Sequence, residues 1–241
     1  MHELQAYIKE YTGQSQPVDH ILDDKGFEPY FLAPDYISAY LKHFSVNIAD
    51  NIVRKRMTLF YIWLKSMDRL IDQKLTDGYE YYKLFINPTK AWDFASTLTI
   101  ALSKASCQVR KPLSGVLKKL NKAALQENES KNIKEFIARK RKCGRLCAEA
   151  TLILMDDIAE FPDDTFRIFF LRLGSVSQLL DAAIDFKEDY KNGEIQLRPT
   201  LSAYLILYSN LFIAMSAFII RYPFILQGMG GFIARLYKGR Y

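Results

Sequence analysis

Cysteine, proline and glycine are all scarce in this sequence, with 3, 8 and 11 copies among 241 residues. An odd cysteine count without framework spacing argues against a disulfide-stapled secreted domain. The small share of proline and glycine excludes collagen-like and low-complexity chains. The opening stretch, MHELQAYIKEYTG, lacks the apolar segment of a signal peptide. We therefore expect a cytoplasmic globular protein.

Positive charge exceeds negative charge, since 33 Lys and Arg stand against 27 Asp and Glu for a net charge of +6. Such an excess favours an anionic partner, a class that includes nucleic acid, phospholipid headgroups and phosphorylated substrates. Two basic runs, residues 54–56 and 139–142, are expected to be solvated helix faces. Because no nucleic-acid-binding motif is present and the basic runs lack interleaved stacking aromatics, nucleic acid is not an expected partner.

The chain is predicted to be helical almost throughout. Four segments have the pattern of long helices: 53–73, 112–127, 133–158 and 165–190. No run alternates apolar and polar side chains in the way of a half-buried strand. We predict an all-α single domain over residues 1–241, with its motif-bearing core at about 50–200 and roughly eight to ten helices.

Residues 200–220, TLSAYLILYSNLFIAMSAFII, carry no charged side chain and are long enough to cross a bilayer. The Ser, Thr and Asn side chains within the segment favour a buried core helix. A membrane anchor is the alternative. Basic residues near the C-terminus also favour peripheral contact with a membrane surface; they are Arg221, Arg235, Lys238 and Arg240.

Two predicted helices carry acidic stripes near their C-terminal ends. The first consists of Asp68 and Asp72, and the second of Asp181, Asp185, Glu188 and Asp189. Because a helix turns about 100° per residue, this spacing brings the carboxylates of each stripe to one face. Earlier positions on the same faces are apolar, aromatic or small: Met57, Tyr61 and Leu64 on the first helix, Phe170, Leu171 and Gly174 on the second. Each helix thus runs from an apolar base to an acidic rim.

Carboxylates at a helix C-terminus face the negative end of the macrodipole, so a bound cation would offset their repulsion. Mg²⁺ suits such a site because it takes one or two carboxylates and completes its octahedron with waters and phosphate oxygens. Mn²⁺ is the alternative. An apolar pocket capped by metal and phosphate matches a substrate with a hydrocarbon tail and a diphosphate head. Metal binding would stabilise the leaving diphosphate, so that the allylic C–O bond ionises.

A further acidic run, residues 156–160, also resembles a carboxylate box. A Phe-Pro-Asp-Asp sequence follows it at once, which is typical of a helix end and a turn. We therefore expect residues 156–160 to connect two helices.

The two stripes lie in segments that resemble the signatures of the squalene/phytoene synthase family. The first family signature, roughly YAWCRRxDELVD, corresponds to YIWLKSMDRLID at residues 61–72. The second, roughly LGxAxQLTNILRDxxEDxxxGRIYLP, corresponds to LGSVSQLLDAAIDFKEDYKNGEIQLRP at residues 173–199. The second signature is the more specific of the two.

The resemblance implies a class I isoprenoid synthase fold, which is a helical bundle around a central apolar cavity. It also implies Mg²⁺-dependent, head-to-head coupling of two prenyl diphosphates. The expected metal ligands are Asp68, Asp72, Asp181, Asp185, Glu188 and Asp189, of which Asp181 stands where the family often has Asn. The expected catalytic residues are Asp68, Asp72, Asp185 and Tyr61, which matches the family's active-site tyrosine. The expected substrate-binding residues are Leu64, Lys65, Phe170, Gly174 and Gln178; Lys65 stands where the family often binds diphosphate through Arg.

Several positions depart from the family pattern. Arg69 replaces an acidic residue, and Ile184 and Glu194 replace arginines. Ala138 replaces a tyrosine. The lost cations keep two alternatives open: a terpene synthase that ionises one prenyl diphosphate, and a non-catalytic relative. The sequence leaves the oligomeric state and any need for NADPH undetermined.

Overall fold

The computed structural model describes residues 2–13, 25–48 and 50–226. These residues are mostly helical with almost no sheet, which confirms the all-α prediction. The helices are α1 (His2–Thr12), α2 (Glu28–His43), α3 (Asp50–Asp72), α4 (Tyr79–Ile86), α5 (Phe94–Ala105), α6 (Arg110–Asn128), α7 (Ile133–Ile153), α8 (Thr165–Lys191) and α9 (Leu201–Arg221). A 3-10 turn at Lys25–Phe27 precedes α2, and the short strands β1 (Asn47–Ile48) and β2 (Ala159–Glu160) pair antiparallel.

Four predicted helices have the expected bounds to within three residues: α3, α6, α8 and α9. The prediction of a helix over 133–158 is wrong at its end, because α7 stops at Ile153. The next residues form hydrogen-bonded turns, in which Ile158 N donates to Met155 O at 3.0 Å. The chain then enters β2.

The chain groups into two compact units. Unit 1 consists of residues 1–121 and 149–168, and unit 2 of residues 122–148 and 169–241. The single domain expected over residues 1–241 stays a prediction.

Unit 1 is built around α3. Apolar side chains of α3 recur every three or four residues and are buried, with α1, α2 and α5 packed against the helix. The buried apolar residues of α3 are Val53, Met57, Leu59, Phe60, Ile62, Trp63, Met67 and Ile71. The Trp63 indole N–H donates to Thr99 Oγ1 of α5 at 2.8 Å, so the polar atom of this buried ring is satisfied.

Arg56 of α3 is a buried cation in unit 1. Its side chain is 7% exposed and forms a two-pronged ion pair with Asp157, whose side chain is 14% exposed. The guanidinium also donates to Leu154 O at 2.9 Å. The prediction that residues 54–56 form a solvated face is therefore wrong at Arg56. The prediction that residues 156–160 connect two helices is confirmed.

Unit 2 has its own apolar core, to which α7, α8 and α9 contribute. Phe136 and Phe186 are fully buried, with ring centroids 5.4 Å apart. One face of α9 joins this core through Ala203, Leu207 and Leu211. α9 begins after Thr200, whose Oγ1 accepts a hydrogen bond from Ala203 N at 3.2 Å.

The rest of α9 is largely exposed. Only 17% of its most apolar 18-residue window is buried. The interpretation of residues 200–220 as a buried core helix is therefore wrong for most of the helix surface. Among the described residues, α9 alone is long and apolar enough to cross a membrane.

α7 and α8 meet backbone to backbone at Gly144 and Gly174. A Cβ added to Gly144 would lie 2.0 Å from Gly174 O, and a Cβ added to Gly174 would lie 2.3 Å from Gly144 O. Neither position has room for a larger side chain. The side chain of Gln178 also packs here, since its Cγ would lie 2.7 Å from a Cβ added to Gly144.

Candidate functional site

The first acidic stripe lies in the last two turns of α3, within unit 1. Asp68, whose side chain is 48% exposed, accepts a hydrogen bond from Lys65 Nζ at 2.8 Å. The same Nζ lies 5.7 Å from the centroid of the Tyr30 ring. Asp72 is half-buried at the end of the helix. The lysine expected to bind diphosphate is thus paired with an expected metal ligand.

Leu64 and Tyr61 lie one and two turns before Asp68, and both are half-buried. The Tyr61 hydroxyl shares a hydrogen bond of 3.1 Å with Thr151 Oγ1. This bond orients the tyrosine that matches the family's active-site residue.

Arg69 stands where the family has an acidic residue. Its guanidinium carbon lies 4.7 Å from the centroid of the Phe27 ring, a cation–π arrangement. The substitution therefore places a cation, held against an aromatic face, next to Asp68 in the sequence.

The second acidic stripe lies on the last three turns of α8, within unit 2. Asp181, Asp185 and Asp189 are spaced four residues apart and therefore share one face of the helix. Asp181 and Glu188 are exposed, whereas Asp185 and Asp189 are half-buried. The C-terminal end of α8 therefore combines closely spaced carboxylates with partial burial of two of them.

A Schellman motif ends α8 and determines the surroundings of Asp189. Gly193 has φ of 74°, a left-handed conformation that glycine adopts without strain. Gly193 N donates to Tyr190 O at 3.2 Å, and Glu194 N donates to Asp189 O at 2.9 Å. Glu194, which stands where the family has Arg, is thereby folded back toward Asp189.

The pKa of Asp189 is raised to about 7. Burial is the main cause, since it disfavours the ionised carboxyl group. Lys140 opposes the rise in this pKa, whereas Glu194, Asp185 and Asp181 add to it by like-charge repulsion. The end of α8 therefore carries negative charge that its surroundings do not fully compensate.

Lys140 of α7 is a buried cation in unit 2. Its side chain is 10% exposed, and its Nζ lies 2.6 Å from Oε1 of Glu127, whose side chain is 11% exposed. Burial alone would lower the pKa of Lys140, but the negative charges of Glu127, Asp181 and Asp189 raise it well above its ordinary value. Lys140 therefore stays charged beside the stripe.

Sequence reasoning missed Lys140, and the prediction that residues 139–142 form a solvated face is wrong at this residue. The signal was its spacing from Gly144. A residue one turn before a glycine on the same helix shares its face, and Gly144 is the point at which α7 meets α8. A lysine on that face is directed toward the neighbouring helix.

The three expected substrate-binding residues of α8 form part of the packing of unit 2. Phe170 is 5% exposed. Gly174 and Gln178 contact α7 at Gly144. Their roles in substrate binding stay predictions.

A polar pocket of ≈ 900 Å³ lies beside the start of α7 in unit 2. Arg139 forms an ion pair with Glu135 there, and its Nη1 is a buried atom with no hydrogen-bond partner among the described residues. The full lining is Glu129, Ser130, Lys131, Glu135, Arg139, Gln196, Leu197 and Arg198. This lining is charged, so the pocket differs from the expected apolar cavity, which stays a prediction.

Within the described residues, no three Asp, Glu, His or Cys side chains are grouped closely enough to hold a metal ion by themselves. Mg²⁺ needs only one or two protein carboxylates when waters and phosphate oxygens complete its octahedron. Asp185 and Asp189 are hard oxygen donors of that kind, and they suit Mg²⁺ or Mn²⁺ better than a metal that prefers thiolate or imidazole. The six expected metal ligands stay predictions.

Comparison of the chain with protein-family models, with curated proteins and with solved structures gives no match. The likeness to squalene and phytoene synthases therefore rests on residues 61–72 and 173–199 alone.

Proposed function

We propose that this protein is a Mg²⁺-dependent synthase that ionises a prenyl diphosphate and joins two prenyl chains, on a helical fold of the isoprenoid synthase type. The observation that carries the proposal is the row of Asp181, Asp185 and Asp189 beside the buried Lys140. The similarity of two segments to the family signatures supports it as well.

The carboxylates of α8 favour a divalent cation. The negative end of the helix and the repulsion between neighbouring carboxylates both disfavour their ionised forms. Lys140 supplies one positive charge, and it shares that charge with Glu127. A divalent cation held by Asp185 and Asp189 would offset the remaining repulsion, and diphosphate oxygens would complete its coordination.

The corresponding groups on α3 would act on the same class of substrate. Asp68 and Asp72 would also hold Mg²⁺, which when bound supplies positive charge for the leaving diphosphate. Lys65 would release its hydrogen bond to Asp68 and donate to a diphosphate oxygen instead, because both groups are anionic acceptors of a charge-assisted hydrogen bond. Tyr61 and Leu64 precede Asp68 on the same face of α3, and in the proposed reaction they would help to exclude water from the carbocation.

Glu194 and Ile184 favour a second candidate, a terpene synthase that ionises a single prenyl diphosphate. Head-to-head coupling requires the binding of two diphosphates. The family has arginine at both positions, whereas here one is an acid beside Asp189 and the other is an isoleucine that is 43% exposed. A single-substrate enzyme needs fewer cations and the same metal site.

The test is incubation of the purified protein with Mg²⁺ and farnesyl or geranylgeranyl diphosphate. Diphosphate release is followed over time, and the organic extract is examined by mass spectrometry. A product with twice the carbon number supports coupling, and a product of unchanged carbon number supports the single-substrate enzyme. No release with either substrate contradicts both and supports a non-catalytic relative.

Matched variants separate the metal site from general damage. Asp185→Asn and Asp68→Asn preserve the shape of the side chain, and we expect each to lower turnover at least a hundredfold while the melting temperature stays within a few degrees. Glu160→Gln, an exposed acid outside both stripes, serves as the control and should keep full activity. Full activity in both aspartate variants would falsify the assignment of these residues.

A further inference from the structure

The polar pocket beside the start of α7 has no role in the function proposed above. Its volume of ≈ 900 Å³ is typical of a small-molecule site, and five of its eight lining residues are charged. All of the lining belongs to unit 2. The chain carries a net charge of +6, and its last basic residues, Arg235, Lys238 and Arg240, lie outside the described residues. The pocket is therefore a place within the described residues where an anionic partner can be sought.

Glu135, one of the two acids in the lining, is already neutralised. Its Oε1 pairs with the Arg139 guanidinium, and its Oε2 accepts a hydrogen bond from Lys131 N at 3.0 Å. Its own backbone N donates to Asn132 Oδ1 at 2.9 Å. Both carboxylate oxygens thus have a partner, so Glu135 offers little to an added cation.

Arg139 has one part of its guanidinium paired and one part unpaired. Nη2 donates to Glu135, whereas Nη1 is buried and finds no acceptor among the described residues. A buried N–H without an acceptor costs free energy. The group missing from this wall of the pocket is therefore an acceptor, which an anionic ligand supplies.

Lys131 and Arg198 add two further cations to the lining. Both are exposed, and neither forms an ion pair within the described part of the chain. Ile195 and Leu197 pack in the core of unit 2 and so anchor the stretch that carries Arg198. Glu129, also exposed, is the remaining acid. Two free cations against one free acid leave the pocket with an excess of positive charge.

We propose that this pocket binds the phosphate group of a small molecule, with Lys131, Arg139 and Arg198 as its contacts. A phosphate combines nearly two negative charges with several acceptor oxygens, so it can accept hydrogen bonds from more than one of these side chains. The binding needs no metal ion. It is independent of the reaction proposed for the acidic stripes.

The experiment is calorimetric titration of the full chain with inorganic diphosphate in EDTA, at neutral pH. Physiological ionic strength screens weak attraction to exposed charges. We expect saturable binding at one site, which Lys131→Gln and Arg198→Gln each weaken about tenfold through the loss of a charge-assisted contact. Glu129→Gln should tighten binding because it removes repulsion. The matched control is Lys134→Gln, which changes an exposed lysine of α7 outside the lining and should bind like the wild type.

Two more variants separate this pocket from the rest of unit 2. Arg139→Gln should abolish binding, with circular dichroism to verify that the protein is folded. Asp189→Asn should bind diphosphate like the wild type, because the acidic stripe needs Mg²⁺ to hold this anion. Absence of saturable binding, equal weakening by Lys134→Gln, or loss of binding in Asp189→Asn would each overturn the proposal. So would acetate that binds as tightly as diphosphate, because the pocket would then not distinguish a phosphate from a carboxylate.

Discussion

Gly144 and Gly174 approach so closely that a methyl group on either would overlap the carbonyl oxygen of the other, at 2.0 and 2.3 Å. This contact brings the backbones of α7 and α8 together in unit 2. Lys140 lies one turn from it on α7, and Asp181 lies two turns from it on α8. The glycine contact thereby positions the buried cation beside the acidic stripe.

Gly144→Ala and Gly174→Ala should each destabilise the protein strongly. The added carbon meets backbone rather than a flexible side chain, so the helices must separate. Overpacking of this kind costs about 1–3 kcal/mol and sometimes more. Urea denaturation followed by circular dichroism measures the loss in the free energy of unfolding.

Gly115→Ala is the matched control for the two glycine variants. Gly115 lies within α6, and nothing lies within 4 Å of the position of its Cβ. Alanine should stabilise this helix by roughly 0.5–1 kcal/mol because glycine loses more backbone entropy on folding. If all three alanine variants change the free energy of unfolding alike, the close approach of α7 and α8 is not the cause of the destabilisation.

Removal of the charge on Asp157 should leave Arg56 as an unpaired buried cation. We expect Asp157→Asn to cost about 3 kcal/mol in the free energy of unfolding at neutral pH, within the range for a broken buried pair. Asp164→Asn, an exposed acid in the same segment, should cost little.

The Arg56–Asp157 pair also predicts a dependence on pH. The hydrogen bonds from Arg56 and the positive charge of Arg56 lower the pKa of Asp157 below the usual value of 3.8. The stabilisation is therefore present above about pH 4 and is lost as the pH falls through the lowered pKa. The difference between wild type and Asp157→Asn should shrink in denaturation experiments at progressively lower pH, and a constant difference would contradict the prediction.

The raised pKa of Asp189 predicts the opposite dependence on pH. The folded protein keeps this proton up to about pH 7, whereas the unfolded chain releases it near the ordinary value of 3.8. The folded state thus binds more protons in this window, and stability falls as the pH rises through it. Asp189→Asn should remove this part of the pH dependence and be more stable than the wild type at pH 8, by a few kcal/mol at most. Calorimetry across pH 5 to 8 measures both effects.

Mg²⁺ should reverse the cost of ionising Asp189 if the proposed metal site exists. At pH 8, millimolar Mg²⁺ with inorganic diphosphate should raise the melting temperature of the wild type more than that of Asp189→Asn, which keeps the other expected ligands. Equal shifts in the two proteins would place metal binding elsewhere.

The Lys65–Asp68 pair predicts how Lys65 acts in the proposed reaction. The pair is partly exposed, with side chains 21% and 48% exposed, so its loss should cost less than 1 kcal/mol of stability. Lys65→Gln should instead raise KM for the prenyl diphosphate about tenfold, because a charge-assisted contact to diphosphate is lost. Steady-state kinetics test this expectation, and Lys83→Gln, which breaks an exposed pair with Glu80, is the control.

Helix positions were predictable because they depend on local pattern, as the bounds of α3 and α8 illustrate. The end of α7 at Ile153 was not predictable, since no proline or glycine marks it. There the chain turns within the segment that brings Asp157 to Arg56, a partner 101 residues away. Local sequence contains no information about so distant a contact.

The acidic stripes were predictable as faces of helices, but the burial of charge was not. Lys140 lies within a basic run, and basic side chains are mostly exposed in proteins. Its burial depends on Glu127 and on the approach of α8, which the two glycines permit. The exposure of α9 was misjudged for a related reason: composition indicates how apolar a helix is, whereas neighbouring elements decide how much of it they cover.

Each unit is assembled from two separate stretches of chain, and the boundaries fall after residues 121, 148 and 168, within α6, α7 and α8. No uninterrupted fragment therefore contains the whole of either unit without part of the other. Melting of one unit would fray helices whose remaining turns belong to the other, so cooperative loss of both is favoured over a half-folded intermediate. Truncation at any of these boundaries would cut a helix.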